Sequence, residues 1–357
     1  MKDQMTTRER FQAVLNFKPF DRLPVIEWAG WWRDTLDGWR TEGLPTGIEG
    51  ADIYRHLGMD VHYQDWARPR SPDFPKPEHH GAGFIKNESD YDNLKKYLYP
   101  ENCINTEAWE KWTPEHGKGD CVTWFTIEGF FWFPRTLFGI EEHLYAFYDH
   151  PELMHRINRD LVTHQLKIID DICKYTIPDF MTFAEDMSYN NGSMLSKELF
   201  DEFMKPYYQM VIPKLKERGI KVIIDSDGDI SVPNSWFEEA GLEGILPLER
   251  QAGVDIAQLR KDHPHQIYIG AYDKMVMNNG EAAMRKEFER LIPVAAKGGF
   301  IISCDHQTPP GVSFDDYKLY LSLFREYAEK AGKMRPPLNF EFQNCLANLR
   351  ISKGCNT

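Results

Sequence analysis

Basic charge is scarce in this chain: 42 Lys and Arg stand against 55 Asp and Glu, for a formal net charge of −13. Nucleic acid and anionic membrane surfaces both need a basic face, so neither is expected as a partner, and a neutral or cationic ligand fits better. Apolar runs of membrane-spanning length are missing as well. The opening MKDQMTTRERF lacks the apolar core of a signal peptide, which makes the cytoplasm the expected compartment. The six cysteines at 103, 121, 173, 304, 345 and 355 form no C-x-x-C pair and no framework spacing, as in a reduced protein without a disulfide scaffold. No strand leads into G-x-G-x-x-G, no G-x-x-x-x-G-K-[ST] is present, and no G-x-S-x-G elbow occurs. Dinucleotide oxidoreductase, nucleotidase and serine hydrolase readings thereby lose their main support. The chemistry has to come from acids, a metal, or both.

What is present is a repeated pattern of short apolar strands and longer helices. Thr6-Thr7-Arg8-Glu9 matches a capping box and opens a short amphipathic helix through Phe11, Val14 and Leu15. Strands are predicted at Arg22–Trp28, near Asp60–His62, Val122–Ile127, Asp179–Phe183, Lys221–Asp225, Gly244–Glu249, Gln266–Gly270 and Phe300–Cys304. Helices are predicted at about 141–175, from Ser196 to about Arg218 with kinks at Pro206 and Pro213, around 281–296 and at about 314–331. Between 30 and 135 Trp, Pro, Gly and His are dense, and the long irregular stretches there read as lids or walls of a site. The alternation implies βαβ units and a parallel sheet. The expectation is an α/β fold, a (β/α)8 TIM barrel with an N-terminal extension and long loops at its mouth. One domain would span residues 1–357, with an N-terminal helix within 1–20 and a C-terminal tail at 335–357.

In such sheets the chemistry lies at the carboxyl ends of the strands. Glu27, Glu185-Asp186, Asp225-Ser226-Asp227, Glu249 and Cys304-Asp305-His306 each directly follow an apolar run. A single carboxylate after a strand is most simply the cap of the next helix. Five recurrences in one chain favour a shared site. Asp225 and Asp227 stand two apart, so their side chains face one way if the extended geometry persists. With Glu249 and His306 they form a set able to hold Zn²⁺ with a position left open, and Cys304 would add a soft ligand, although only one of Cys304 and His306 is expected to point inward. The same residues also make sense as a metal-free acidic cluster. Trp28, Trp31 and Trp32 crowd the first strand end, where loop aromatics either pack as core or line an apolar pocket.

Met5–Phe11 with Asp21–Val25, Glu185-Asp186-Met187 with Ser196–Phe200 and Lys205–Tyr208, and Gly298-Gly299-Phe300-Ile301 resemble the uroporphyrinogen decarboxylase superfamily. The likeness runs over nearly the whole chain and implies a (β/α)8 barrel. That superfamily holds decarboxylases and also methyltransferases that work with corrinoid carrier proteins. The decarboxylase branch carries an arginine-rich segment after the first strand for the carboxylates of its porphyrinogen. Here Glu27-Trp28-Ala29-Gly30-Trp31-Trp32-Arg33 stands there instead, which argues against uroporphyrinogen as substrate. In the methyl-coenzyme M type, zinc is held by a His-x-Cys after a middle strand and a Cys after a late one. The similar positions here are Asp225-Ser226-Asp227 and His306, set in register by Pro309 and Pro310. Fewer soft ligands suit an oxygen-containing substrate better than a thiol.

The resemblance therefore implies the substrate-specific component of an O-demethylase: a methyltransferase moving a methyl group from a small donor, an aryl methyl ether first, to the Co(I) corrinoid of a separate carrier protein. No Asp-x-His-x-x-Gly attachment pattern is present, so the corrinoid would reside on that partner, which would dock over the mouth. In this reading Asp225 and Glu185 are the catalytic acids, and Asp227, Glu249, His306 and Cys304 are the metal ligands. Glu27, Trp28, Trp31, Trp32 and Asp186 bind the substrate, and the protein is a monomer or homodimer. The rivals are a metal-free decarboxylase of a smaller acid, with Asp225 or Asp227 stabilising a cationic intermediate, and a non-catalytic ligand-binding barrel.

Overall fold

The computed structural model describes residues 4–334; the expected tail at 335–357, with Cys345 and Cys355, lies outside them. Thr6 caps the helix Thr7–Leu15 through a capping box, its hydroxyl accepting the Glu9 N–H and its own N–H reaching the Glu9 carboxylate. Phe11, Val14 and Leu15 on the inner face are fully buried, and Phe11 stacks on Phe180 of the sheet at 5.6 Å.

One curled sheet of seven strands organises the chain: β1 Val61–Ala67, β2 Cys121–Glu128, β3 Phe180–Ala184, β4 Lys221–Asp225, β5 Gly244–Leu248, β6 Ile267–Tyr272 and β7 Phe300–Cys304. Neighbours in space follow the order of the chain, and every pairing is parallel. Each successive pair is joined by a crossover containing one or more helices, the connection that parallel strands require. β2, β3, β5, β6 and β7 are buried along their whole length, because helices and loops cover both faces of a parallel sheet.

The predicted first strand, Arg22–Trp28, is corrected by the structure. It is extended but joins no ladder, so the regular sheet has seven strands rather than eight. Pro24 has no N–H to offer, and the segment is held by two isolated backbone bonds, the Leu23 N–H to the Ala328 carbonyl at 3.2 Å and the Asp60 N–H to the Val25 carbonyl at 2.9 Å, together with side chains. The Asp60 carboxylate accepts the Val25 N–H at 2.8 Å, and the Ser303 hydroxyl accepts the Trp28 N–H at 3.1 Å. Since Asp60 leads into β1 and Ser303 lies in β7, the segment spans the seam between the two edge strands.

Two predicted helices are also corrected. The stretch at 141–175 is divided into Ile140–Asp149 and Pro151–Ile172, because Pro151 starts a new helix where it cannot donate to the old one. The stretch from Ser196 to Arg218 is divided at Met204, with Pro206 in the first turn of Lys205–Glu217. Among the described residues the four cysteines are free, and no helix is long and apolar enough to cross a membrane.

Candidate functional site

The carboxyl ends of the strands bring acids from several segments to one place. Ligand atoms of Asp227, Glu249 and His306 lie within 4.8 Å of one another, and so do those of Asp186, Asp225 and Asp227. Asp227 belongs to both groups, which makes the site one acidic patch with a histidine at its side. His306 Nε2 lies 3.9 Å from Asp227 Oδ2, both side chains being part-exposed. The ring of Trp28 meets His306 edge-on at 5.9 Å.

The backbone at the site is tightly specified. Asp186 leaves β3 with φ 44°, a left-handed conformation that Asp tolerates better than most residues, and its carboxylate faces the Asp227 N–H at 3.5 Å. Gly228 follows with φ 83°, and a Cβ there would lie 2.7 Å from the backbone of Tyr189. The Gly228 N–H donates to Glu249 Oε2 at 2.8 Å, so the turn after β4 fixes the carboxylate after β5.

Electrostatics at the patch are those of an unsatisfied anion cluster. Burial and the neighbouring charges of Asp186 and Asp227 push Asp225 well above the usual carboxylate range. Burial, with Asp186 and Glu249, pushes Asp227 up to about 7 against the opposing pull of Lys274. Burial also raises Asp186 and lowers His306. Acids crowded in this way hold protons or a cation.

The remaining predicted residues go elsewhere. Glu185 is fully buried and clasps the turn after β2: Oε1 accepts the Phe130 N–H at 2.7 Å and the Tyr208 hydroxyl, and Oε2 accepts the Phe131 and Trp132 N–H groups at 2.8 and 3.0 Å. Gly129 permits this approach, since a Cβ there would lie 1.8 Å from Glu185 Oε1. Glu27 is buried at the seam, accepting Ser303 Oγ at 2.6 Å, the Cys304 N–H at 2.8 Å and the Tyr320 hydroxyl at 2.7 Å. Cys304 faces Glu27, its Sγ 3.5 Å from Oε1, and burial raises its thiol well above the ordinary range. Cys304 belongs to neither ligand group. Cys304 and His306 thus diverge, the first toward the seam and the second toward Asp227.

Nor do the three tryptophans converge. Trp31 is packed against Trp39, Tyr54 and Tyr317 in the core, Trp32 is half exposed to solvent, and Trp28 alone meets His306.

Lys274 and Arg135 were not singled out from sequence. Lys274 sits two residues past β6, pairs with buried Asp305 at 3.1 Å, and supplies positive charge to the acids. Its place just past a strand end is the signal that marks it, the same one that marks the acids. Arg135 lies in the helix Trp132–Phe138, far in sequence from the acids, and only the fold brings its Nη1 to 3.4 Å from the Asp186 carbonyl.

The donor set can be compared with the geometry of a metal centre. Zinc bonds of roughly 2.0–2.2 Å put tetrahedral ligand atoms about 3.3–3.6 Å apart, close to the 3.9 Å between His306 Nε2 and Asp227 Oδ2. One nitrogen and two carboxylates suit a zinc centre with an open position. The set Asp186, Asp225 and Asp227 offers oxygen only, which suits a harder ion.

Comparison with known proteins places the fold. No curated protein sequence matches the chain. A methyltransferase from Methanosarcina mazei shares the fold with a TM-score of 0.62 at 14% identity, over 91% of this chain and 99% of that one. A protein from Listeria monocytogenes described as a vitamin-B12-independent methionine synthase aligns with a TM-score of 0.45 at 12% identity, over 89% and 99% of the two chains. The sequence profile of uroporphyrinogen decarboxylase (URO-D) matches residues 135–327. That span runs from the arginine beside Asp186 past β7 and covers every strand end of the acidic patch, and the chain belongs to the uroporphyrinogen decarboxylase family.

Proposed function

We propose that this protein is a methyltransferase that moves a methyl group from a small methylated donor, an aryl methyl ether first, to the corrinoid of a separate carrier protein. The observation that supports it is the gathering of Asp227, Glu249 and His306 beside Asp186 and Asp225 at the strand ends. Asp227, Glu249 and His306 would hold a zinc ion, which when bound supplies Lewis acidity toward the ether oxygen. The carrier's reduced corrinoid supplies the methyl acceptor. The eighth strand of a (β/α)8 barrel would correspond to the extended segment at the seam.

The chain's own part is placement and proton supply. An ether is inert because its oxygen leaves poorly as an anion; a phenol's pKa is near ~10. As the O–CH3 bond breaks, its electron pair stays on that oxygen, and the proton held by Asp225 passes to it. Burial is the first cause of the raised proton affinity of Asp225, and the crowded carboxylates beside it attract a cation to Asp227. Trp28, edge-on to His306, offers an apolar flank for the donor, and Asp186 stands with Asp225 and Asp227. Four donors already converge on Glu185, so it serves by holding the turn that carries Trp132 and Arg135.

The experiment is a panel of methoxyarenes incubated with the protein and reduced cobalamin, with phenol release followed by chromatography. Release of phenol from at least one donor, lost in Asp225→Asn, is the expected result. No demethylated product from any aryl ether, methylamine or thioether, with folded protein and reduced acceptor present, would overturn the reading.

A further inference from the structure

Arg135 is part-buried at the mouth with no acidic side chain paired to it among the described residues. Its Nη1 reaches only the Asp186 carbonyl, at 3.4 Å, and its guanidinium lies 5.2 Å from the Trp132 ring centre. Burial lowers its proton affinity, and Asp186 opposes that only in part. An unpaired cation withdrawn from water costs free energy unless an anion meets it. Arg135 lines a cavity of about 320 Å³ together with Arg70, Phe74, Phe84, Trp132 and Ile140. Arg70 is already committed, paired with Glu128, whose side chain is buried. Phe74 and Phe84 meet edge to face at 4.8 Å, and with Trp132 they make the wall apolar and aromatic. The volume is at the small end of ligand pockets, roughly 300–1,000 Å³, and suits a single ring with its substituents.

We infer that this cavity is a binding site for a single-ring aromatic carboxylate, with the carboxylate on Arg135 and the ring against Trp132, Phe74 and Phe84. One uncommitted guanidinium matches a monoanion, and its planar fork matches a carboxylate. The lining of this cavity includes none of Asp186, Asp225, Asp227, Glu249 and His306, so the inference concerns binding and stands apart from the proposed function.

The test is calorimetric titration with 4-methoxybenzoate and its neutral counterpart 4-methoxybenzamide, with no acceptor present. Wild type is expected to bind the acid roughly 10–100-fold more tightly, the range of a charge-assisted hydrogen-bonded pair. Arg135→Gln should abolish that preference while leaving amide binding unchanged, and Arg135→Lys should restore part of it. Ile140 is exposed at the rim, so Ile140→Asp tolerates folding and should weaken the acid about tenfold while sparing the amide. Equal affinity of wild type for acid and amide, or a preference that survives in Arg135→Gln and Ile140→Asp, would overturn the site.

Discussion

Replacing Gly228 by alanine isolates the turn that sets the acidic patch. The backbone there has φ 83°, and the added Cβ would come within 2.7 Å of the N, Cα and C atoms of Tyr189. A left-handed L-residue costs about 1 kcal/mol. A clash with backbone, which cannot rotate away as a side chain can, adds about 2 kcal/mol. The sum, about 3 kcal/mol, should lower Tm by roughly 5 °C in a chain of this size. The Gly228 N–H also holds Glu249 Oε2 at 2.8 Å, and loss of such an orienting bond weakens metal sites roughly 10–100-fold. Gly47→Ala is the control: φ is 89° but nothing lies within 4 Å of its Cβ, so it should cost about 1 kcal/mol with no effect on metal. Thermal melts and zinc titrations on both variants check this. Gly228→Ala matching Gly47→Ala in Tm and wild type in metal affinity would refute the reasoning.

Three further outcomes are expected. Asp21 lies against Arg10 in a two-pronged pair of 2.8 and 2.9 Å, and these bonds hold its carboxyl at about 2 against burial. Because the folded value lies below the ordinary one of 3.8, its stabilisation is present above pH ~4 and fades as pH falls toward 2. Asp21→Asn should lose about 2 kcal/mol at neutral pH and flatten the acid limb of a denaturation series; an unchanged acid limb would count against it. Asp225→Asn should lower kcat about a hundredfold while zinc affinity stays within about threefold, so a variant that loses both equally would make Asp225 a ligand and not a proton donor. Gly129→Ala drives a Cβ into the Glu185 carboxylate and should loosen the turn bearing Trp132 and Arg135. Binding of 4-methoxybenzoate should fall while zinc binding is kept, and the reverse pattern would contradict the assignment of those two regions.

The strands β2 to β7 were legible because a covered parallel strand is a largely apolar run, and Lys221–Asp225 or Phe300–Cys304 can be little else; β1, Val61–Ala67, mixes buried and exposed polar residues, and only its start was expected. Their ends were legible for the same reason, since the polar residue after each run marks where the chain meets solvent. Arg22–Trp28 reads identically, yet forms no ladder, because its backbone bonds are isolated ones to Asp60 and Ala328 and the rest of its support is the Asp60 carboxylate and the Ser303 hydroxyl, partners that no local pattern shows. The helices Arg33–Thr41, Ala51–His56, Glu88–Leu94 and Thr106–Lys118 were hidden among Trp, Pro and Gly that blur a helical period. Side-chain direction past a strand end was the other limit. Cys304 and His306 are two apart, as are Asp225 and Asp227, but the first pair diverges and the second shares one ligand group, because the turns differ. Arg135 carried no signal in its own neighbourhood, where it reads as one more polar residue on a helix.

The central claim is that Asp227, Glu249 and His306 together bind a metal ion. Titrating the stripped protein with Zn²⁺ by calorimetry, wild type beside Asp227→Ala, Glu249→Ala and His306→Ala, tests it most directly. One equivalent bound by wild type and a loss of affinity of at least tenfold in each variant is the predicted result. Wild type that takes up no zinc, or three variants that bind it as wild type does, would contradict it.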